Sequence, residues 1–189
     1  MKAKNFVAAM MIMLSGGVMF AQKAAVDTQK SSIEWLGKKI GGQHTGNIQL
    51  KSGHIELVKG EISAGHFIVD MTSITDTDLK DEAYNQKLVG HLKSDDFFGV
   101  EAYPTSEFVV TESSKFINGT ATITGDLTIK GKTESISFEV VRSGKDYTAS
   151  VAIDRSKFDV RYGSNSFFDN LGDKAIDDIF TLQIKLVVV

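Results

Sequence analysis

The chain has 189 residues, a formal charge of -3, 42% hydrophobic and 24% charged residues, and no cysteine. One domain is the expectation at this length, and the missing thiols exclude a disulfide framework, a thiolate metal site and a cysteine nucleophile. The weak negative charge offers no electrostatic footprint for nucleic acid.

The first residues differ from the rest. Lys2 and Lys4 precede an apolar run over residues 6–20, broken by Ser15, Gly16 and Gly17, and Ala21 supplies a small residue for cleavage. That is the layout of a secretory signal peptide over residues 1–21. The run is short of the roughly 20 residues that cross a bilayer comfortably. The expectation is an exported mature chain, periplasmic or secreted, starting at Gln22 and without stable membrane insertion.

Beyond the leader, apolar residues recur with period two, which puts alternate side chains on one face of a strand. Strands are expected near residues 33–38, 47–50, 54–58, 61–71 and 106–111. The cleanest alternation sets Ala121, Ile123, Gly125, Leu127 and Ile129 against Thr120, Thr122, Thr124, Asp126 and Thr128. Further strands follow at residues 136–140, 149–153 and 180–188. Gly60 and the pairs Gly131-Lys132 and Gly144-Lys145 are turn chemistry, so neighbouring strands run antiparallel. An all-β antiparallel barrel of about eight strands is the simplest closure. Small residues on the inner face, Ala121, Gly125 and Ala149, favour a cavity over a filled core.

Residues 79–92 break the period. Leu79 with Ala83, and Tyr84, Leu88 and Leu92, recur at helical spacing; Thr77 can cap the start, and Asp78, Asp81 and Glu82 place acid where the helix dipole favours it. Gly90 should disturb the last turn. One amphipathic helix near the barrel mouth would cover an open end.

The most distinctive run is His91-Leu92-Lys93-Ser94-Asp95-Asp96-Phe97-Phe98, followed by Tyr103-Pro104-Thr105 and Phe108. Ser94 can cap a short turn and the phenylalanines can enter the mouth, so His91 either holds a structural corner or meets a ligand head group. No metal site is expected: the histidines at 44, 54, 66 and 91 form no close pair. Asp76-Thr77-Asp78 begins like a calcium loop, but Lys80-Asp81 breaks the pattern. Catalytic residues are not expected either. No nucleophile elbow surrounds Ser94, and Glu34, Asp70 and Asp154 carry no fixed separation that would make a carboxylate pair. Asn118-Gly119-Thr120 is a glycosylation sequon whose simpler role is a turn.

Several of these stretches together resemble the YceI-like family of exported polyisoprenoid-binding proteins with a lipocalin-like barrel. They are Ser32-Ile33-Glu34-Trp35, the His91-Leu92 and Ser94 to Phe98 block, Tyr103-Pro104 with Phe108, Gly125 with residues 127–131, and Ile153-Asp154-Arg155-Ser156 with Phe158. The resemblance covers nearly all of residues 22–189. It implies a non-enzymatic protein holding a long isoprenoid lipid, a polyprenyl lipid or a quinone, with no other cofactor. Leu88 and Val89 stand where many relatives carry an Arg-Asp pair, and Gly99 where an Asp is common. These departures point to a different head group.

The expected ligand contacts are Trp35, His91, Ser94, Phe97, Phe98, Phe108, Ile123, Leu127, Phe138, Val151 and Arg161. Two alternatives stand beside the carrier: a hydrolase or isomerase with His91 as base, and a structural barrel without ligand. A homodimer is compatible with the sequence. A strand of about 10 residues tilted about 40° gives a barrel roughly 25 Å tall, so a chain of many units must bend or protrude.

Overall fold

The computed structural model describes residues 21–189; the leader expected before them lies outside the described residues. The elements are β1 (Gln22–Ala25), β2 (Ser32–Lys39), β3 (Gly42–Val58), β4 (Glu61–Asp70), α1 (Glu82–Lys93), β5 (Thr105–Ser113), β6 (Thr120–Ile129), β7 (Lys132–Ser143), β8 (Asp146–Asp154) and β9 (Ile179–Val187). Strands β2 to β9 follow one another around a closed antiparallel ring of eight, as the alternation implied. β1 lies beside residues 54–57 of β3, while β2 pairs with residues 42–48 of the same strand. A turn separates β1 from β2. In it the Asp27 carboxylate accepts the backbone N–H groups of Gln29 at 3.1 Å and Lys30 at 3.2 Å.

The hairpins use the turn chemistry that right-twisted strands need. Lys59 and Gly60 have φ of 54° and 80°, and Lys130 and Gly131 have 50° and 71°. Positive φ at both central residues is the type I′ geometry. Asn118 and Gly119 adopt the same pair of values, 51° and 83°, so the sequon segment is a turn. β6 matches its expected span and buries Ala121, Ile123, Leu127 and Ile129, leaving Thr122 and Asp126 exposed.

Three expectations change. The strands read separately at residues 47–50 and 54–58 are one strand, β3. Its inward set passes from even numbers (Ile48, Leu50) to odd ones (Ile55, Leu57), and a bulge between Leu50 and Ser52 absorbs the extra residue. In the sequence that slip looks like a break. The helix starts later than Thr77: Asp81 is the cap, accepting the N–H groups of Ala83 and Tyr84 at 3.0 and 3.1 Å, while the Thr77 hydroxyl donates to the Thr45 carbonyl. Helix α1 also runs through Gly90 to Lys93, and none of its residues is buried. Its apolar spacing does not mark a packed face, since Tyr84 is 66% exposed and Leu92 alone joins the interior.

The third change concerns small residues. A Cβ on Gly125 would lie 2.5 Å from the Phe108 ring and 2.5 Å from the Val109 carbonyl oxygen. Glycine there makes room for an aromatic ring, not for empty space. Among the described residues the core forms three clusters, one around Ile33, Leu50, Ile55, Val110, Ile123, Val140 and Tyr147, another around Phe97, Leu127, Ile129, Val151, Ile153 and Phe158, and a small one of Met71, Ile74 and Val100. Phe108, Phe138, Ala149, Leu182 and Ile184 bridge the first two.

The ladder is uneven around the ring. β6 and β7 share ten registered pairs, from Thr120↔Val141 to Ile129↔Lys132, but β7 and β8 share three: Val141↔Thr148, Arg142↔Tyr147 and Ser143↔Asp146. Past these the facing edges of β7 and β8 have no ladder between them.

Candidate functional site

The barrel encloses a cavity of about 220 Å³. It runs from Ile55, Ile62 and Tyr147 at one end to Trp35, Leu92, Phe98, Ile176 and Phe180 at the other. Its wall is apolar because each strand turns its period-two hydrophobic face inward. Halfway along, the rings of Phe67 and Phe108 stack with centroids 6.4 Å apart, and Phe108 and Phe138 meet at 5.4 Å. Three aromatic rings from β4, β5 and β7 thus meet in the lining. The volume lies below the roughly 300–1,000 Å³ usual for compact small-molecule pockets. The interior is a small apolar cavity lined along the length of the barrel.

Of the expected contacts, Trp35, Phe97, Phe98, Phe108, Ile123, Leu127, Phe138 and Val151 line this cavity. Trp35 does so with its polar edge satisfied, Nε1 donating to the Thr75 carbonyl at 3.0 Å. Gly46 permits that contact: a Cβ there would stand 1.8 Å from the Thr75 oxygen and 2.7 Å from the Trp35 ring. No side chain larger than hydrogen fits.

His91, Ser94 and Arg161 stand outside the lining. The His91 ring packs edge-on against Tyr162 at 4.3 Å and Phe97 at 5.8 Å, joining α1 to the β8–β9 connector. Ser94 ends the helix, its hydroxyl donating to the His91 carbonyl at 2.8 Å. Arg161 pairs with Asp159 at 2.6 Å and lies over the Phe167 ring at 5.1 Å, with its side chain more than half exposed. These three residues shape the rim.

The residue that sequence reasoning passed over is Arg155. Buried at 2% exposure, it reaches the mouth end of the cavity. Its Nε donates to the Asp177 carbonyl at 3.0 Å, Nη1 to those of Val160 at 2.8 Å and Tyr162 at 2.9 Å, and Nη2 to that of Ile176 at 3.0 Å. Asp178 sits 3.5 Å from Nη2, and the guanidinium lies 5.4 Å from the centre of the Phe97 ring. Burial pushes its pKa down against the pull of Asp178, Asp154 and Asp177, and an arginine stays charged all the same. The charge is spent on main chain. Nothing in the residue's own neighbourhood of sequence signals this, because its partners are 5 to 22 positions away.

The short β7–β8 ladder matters here. On the outer face a groove crosses β7, β8, β9 and β2, and it shares Thr148, Ala149 and Ile184 with the interior cavity. Thr148 and Ala149 of that shared set lie where the β7–β8 ladder stops. Among the described residues, no helix is long and apolar enough to cross a membrane.

A closed antiparallel barrel with one flanking helix, wrapped around a small apolar cavity, defines the class. A family model for the YceI-like domain matches residues 25–188, and the chain belongs to that family. In Pseudomonas putida strain F1, a UPF0312 protein is 38% identical over 55 residues, a stretch spanning 29% of each chain. The match therefore covers under a third of the curated relative's length. The solved structure of Burkholderia cenocepacia BcnA superposes with a TM-score of 0.62 at 23% identity, covering 87% of this chain and 99% of that one. A polyisoprenoid binding domain from Saccharophagus degradans gives 0.58 at 12% identity, covering 87% and 97%. At these identities the two structures attest the fold.

Proposed function

We propose that this protein binds and carries, or sequesters, a long apolar isoprenoid-type lipid in the barrel interior, without chemistry on it, in the periplasm or after secretion through a cleaved leader over residues 1–21. The observation that carries the reading is the continuous apolar wall with Arg155, its buried cation, giving four of its five N–H groups to main-chain carbonyls. Burying hydrocarbon contributes about 0.8 kcal/mol per CH₂, so a five-carbon unit offers roughly 4 kcal/mol before ordering costs. A few units suffice for tight binding. His91, the base a hydrolase or isomerase would use, faces Phe97 and Tyr162 instead of the cavity, which favours the carrier over catalysis.

The test is extraction of protein purified from its native host with organic solvent, followed by mass spectrometry of what is released. A stoichiometric polyprenyl lipid or quinone is expected. Recovery of no lipid, together with failure of the purified protein to take up polyprenyl lipid in vitro, would leave the structural barrel as the better reading.

A further inference from the structure

Three side chains with metal-ligand chemistry meet at the rim, where the loop before α1 runs along the start of β3. Each of His44, Asp76 and Asp78 offers one ligand atom, and these atoms lie within 4.8 Å of one another. The loop is tied to the strand by main chain, Asn47 N–H donating to the Thr75 carbonyl at 3.2 Å, Thr75 N–H to that of Asn47 at 3.0 Å and Thr77 N–H to that of Thr45 at 2.9 Å. That pairing brings the two aspartates beside an imidazole some 32 residues earlier in the chain.

Each carboxylate is held by one oxygen. Asp76 Oδ1 accepts the Leu79 N–H at 2.9 Å and the Asn85 side-chain amide at 3.1 Å; Asp78 Oδ1 accepts the Thr45 N–H at 3.0 Å. Asp78 Oδ2 then faces His44 Nδ1 at 3.1 Å. Asp76 is 7% exposed, and its Oδ2 is buried without any hydrogen-bond partner. An orphaned carboxylate oxygen away from water costs free energy unless something positive meets it.

We infer that His44, Asp76 and Asp78 form a divalent-cation site of the zinc class, with one imidazole nitrogen, two carboxylate oxygens and solvent completing the shell. Imidazole together with carboxylate suits zinc-class ions, where calcium and magnesium take oxygen ligands. The backbone N–H groups on the two Oδ1 atoms are the outer-shell partners that fix ligand orientation in such sites. No linear motif announces the site, because the ligands come from a strand and a loop. Thr75, which holds Trp35, lies one residue from Asp76, so a bound cation would clamp the loop that positions a cavity-lining ring.

The test uses tag-free, chelator-treated full-length mature protein titrated calorimetrically with zinc chloride. One equivalent should bind, the melting temperature should rise with zinc, and His44→Gln and Asp78→Asn should each weaken binding by at least about 10-fold. A His54→Gln/His66→Gln variant, which removes the two histidines that face each other across β3 and β4, should bind as the wild type does. Absence of zinc binding by the folded wild type, stronger binding of calcium or magnesium, or loss only in the His54/His66 variant would overturn the assignment. If either single variant fails to fold, cobalt(II) added to the wild type decides it by nuclear magnetic resonance. Paramagnetic broadening centred on the Thr45 and Thr77 amides supports the site, and broadening centred on His54 and His66 overturns it.

Discussion

Leu127 and Thr128 are adjacent on β6 and face opposite ways. Leu127 is 8% exposed, pairs across the sheet with Phe108 and lines the cavity; Thr128 points outward, its hydroxyl 2.8 Å from that of Thr133. Leu127→Gln forfeits about 1.5–3 kcal/mol of leucine burial and sets an amide with few partners against hydrocarbon, a further ~1–3 kcal/mol. Stability should fall by about 3–5 kcal/mol, within the margin of a typical domain. With ligand present, the amide term acts on binding: a loss of ~1–3 kcal/mol is roughly 5- to 150-fold in affinity. Thr128→Gln should change neither quantity by more than about 0.5 kcal/mol. The assay is displacement of a fluorescent apolar probe by a polyprenyl lipid, scored per folded protein after circular dichroism and melting. Equal affinity in both variants would mean the inner face of β6 meets no ligand, and the carrier reading would fail.

Other expectations follow from the rim and the seam. Arg155→Lys cannot serve four carbonyls from one ammonium and should cost about 3–5 kcal/mol, a fall in melting temperature on the order of 10 °C, whereas a change under about 2 °C would deny the pin. Asp178 is held below the ordinary carboxylate range, since hydrogen bonds from Ser164 and Ser166 and the charge of Arg155 outweigh the raising effect of burial. A depressed folded-state pKa contributes stability above the ordinary value of about 3.9 and loses it as pH falls through the folded value. The melting-temperature gap between wild type and Asp178→Asn should therefore narrow as pH drops below about 4; a constant gap would contradict this. Cysteines at Val141 and Thr148, the last registered β7–β8 pair, should on oxidation slow lipid uptake in stopped-flow measurements without lowering the melting temperature, and unchanged uptake would exclude the gap beside that pair as a route.

The barrel was legible because it is built from repetition. A strand buried on one face must alternate, and β6 does so without a slip, so its span and its inner residues could be read directly. β3 was not legible as one strand, because its bulge moves the inner set by one and turns a continuous ladder into two apparent segments. The helix was legible as a helix but not as an exposed one. Its spacing of Leu79, Ala83, Tyr84, Leu88 and Leu92 satisfies the period while tertiary contacts use Leu92 alone. The residues of the block from His91 to Phe98 pointed by themselves to the mouth aromatics Phe97 and Phe98, which line the cavity, and to His91, which does not. Arg155 stayed hidden because an arginine after an alternating strand looks like a solvated end.

Affinity and selectivity then belong to different parts of the molecule. The strands supply an apolar wall that rewards any hydrocarbon in proportion to its buried area, and such a wall discriminates weakly between chains. Discrimination needs a feature that some ligands cannot pass. The contiguous rings of Phe67, Phe108 and Phe138 supply one, and they fit together because Gly125 removes the atom that would collide with the Phe108 ring. The mouth is the other, and its shape depends on the groups that break the strand period: Gly46, which admits the loop to Trp35, and Arg155, which ties the β8–β9 connector through four carbonyls. The period-two pattern specifies the barrel and supplies the lining rings of Phe67, Phe108 and Phe138, whereas the mouth is built by Gly46 and Arg155, which the pattern does not generate.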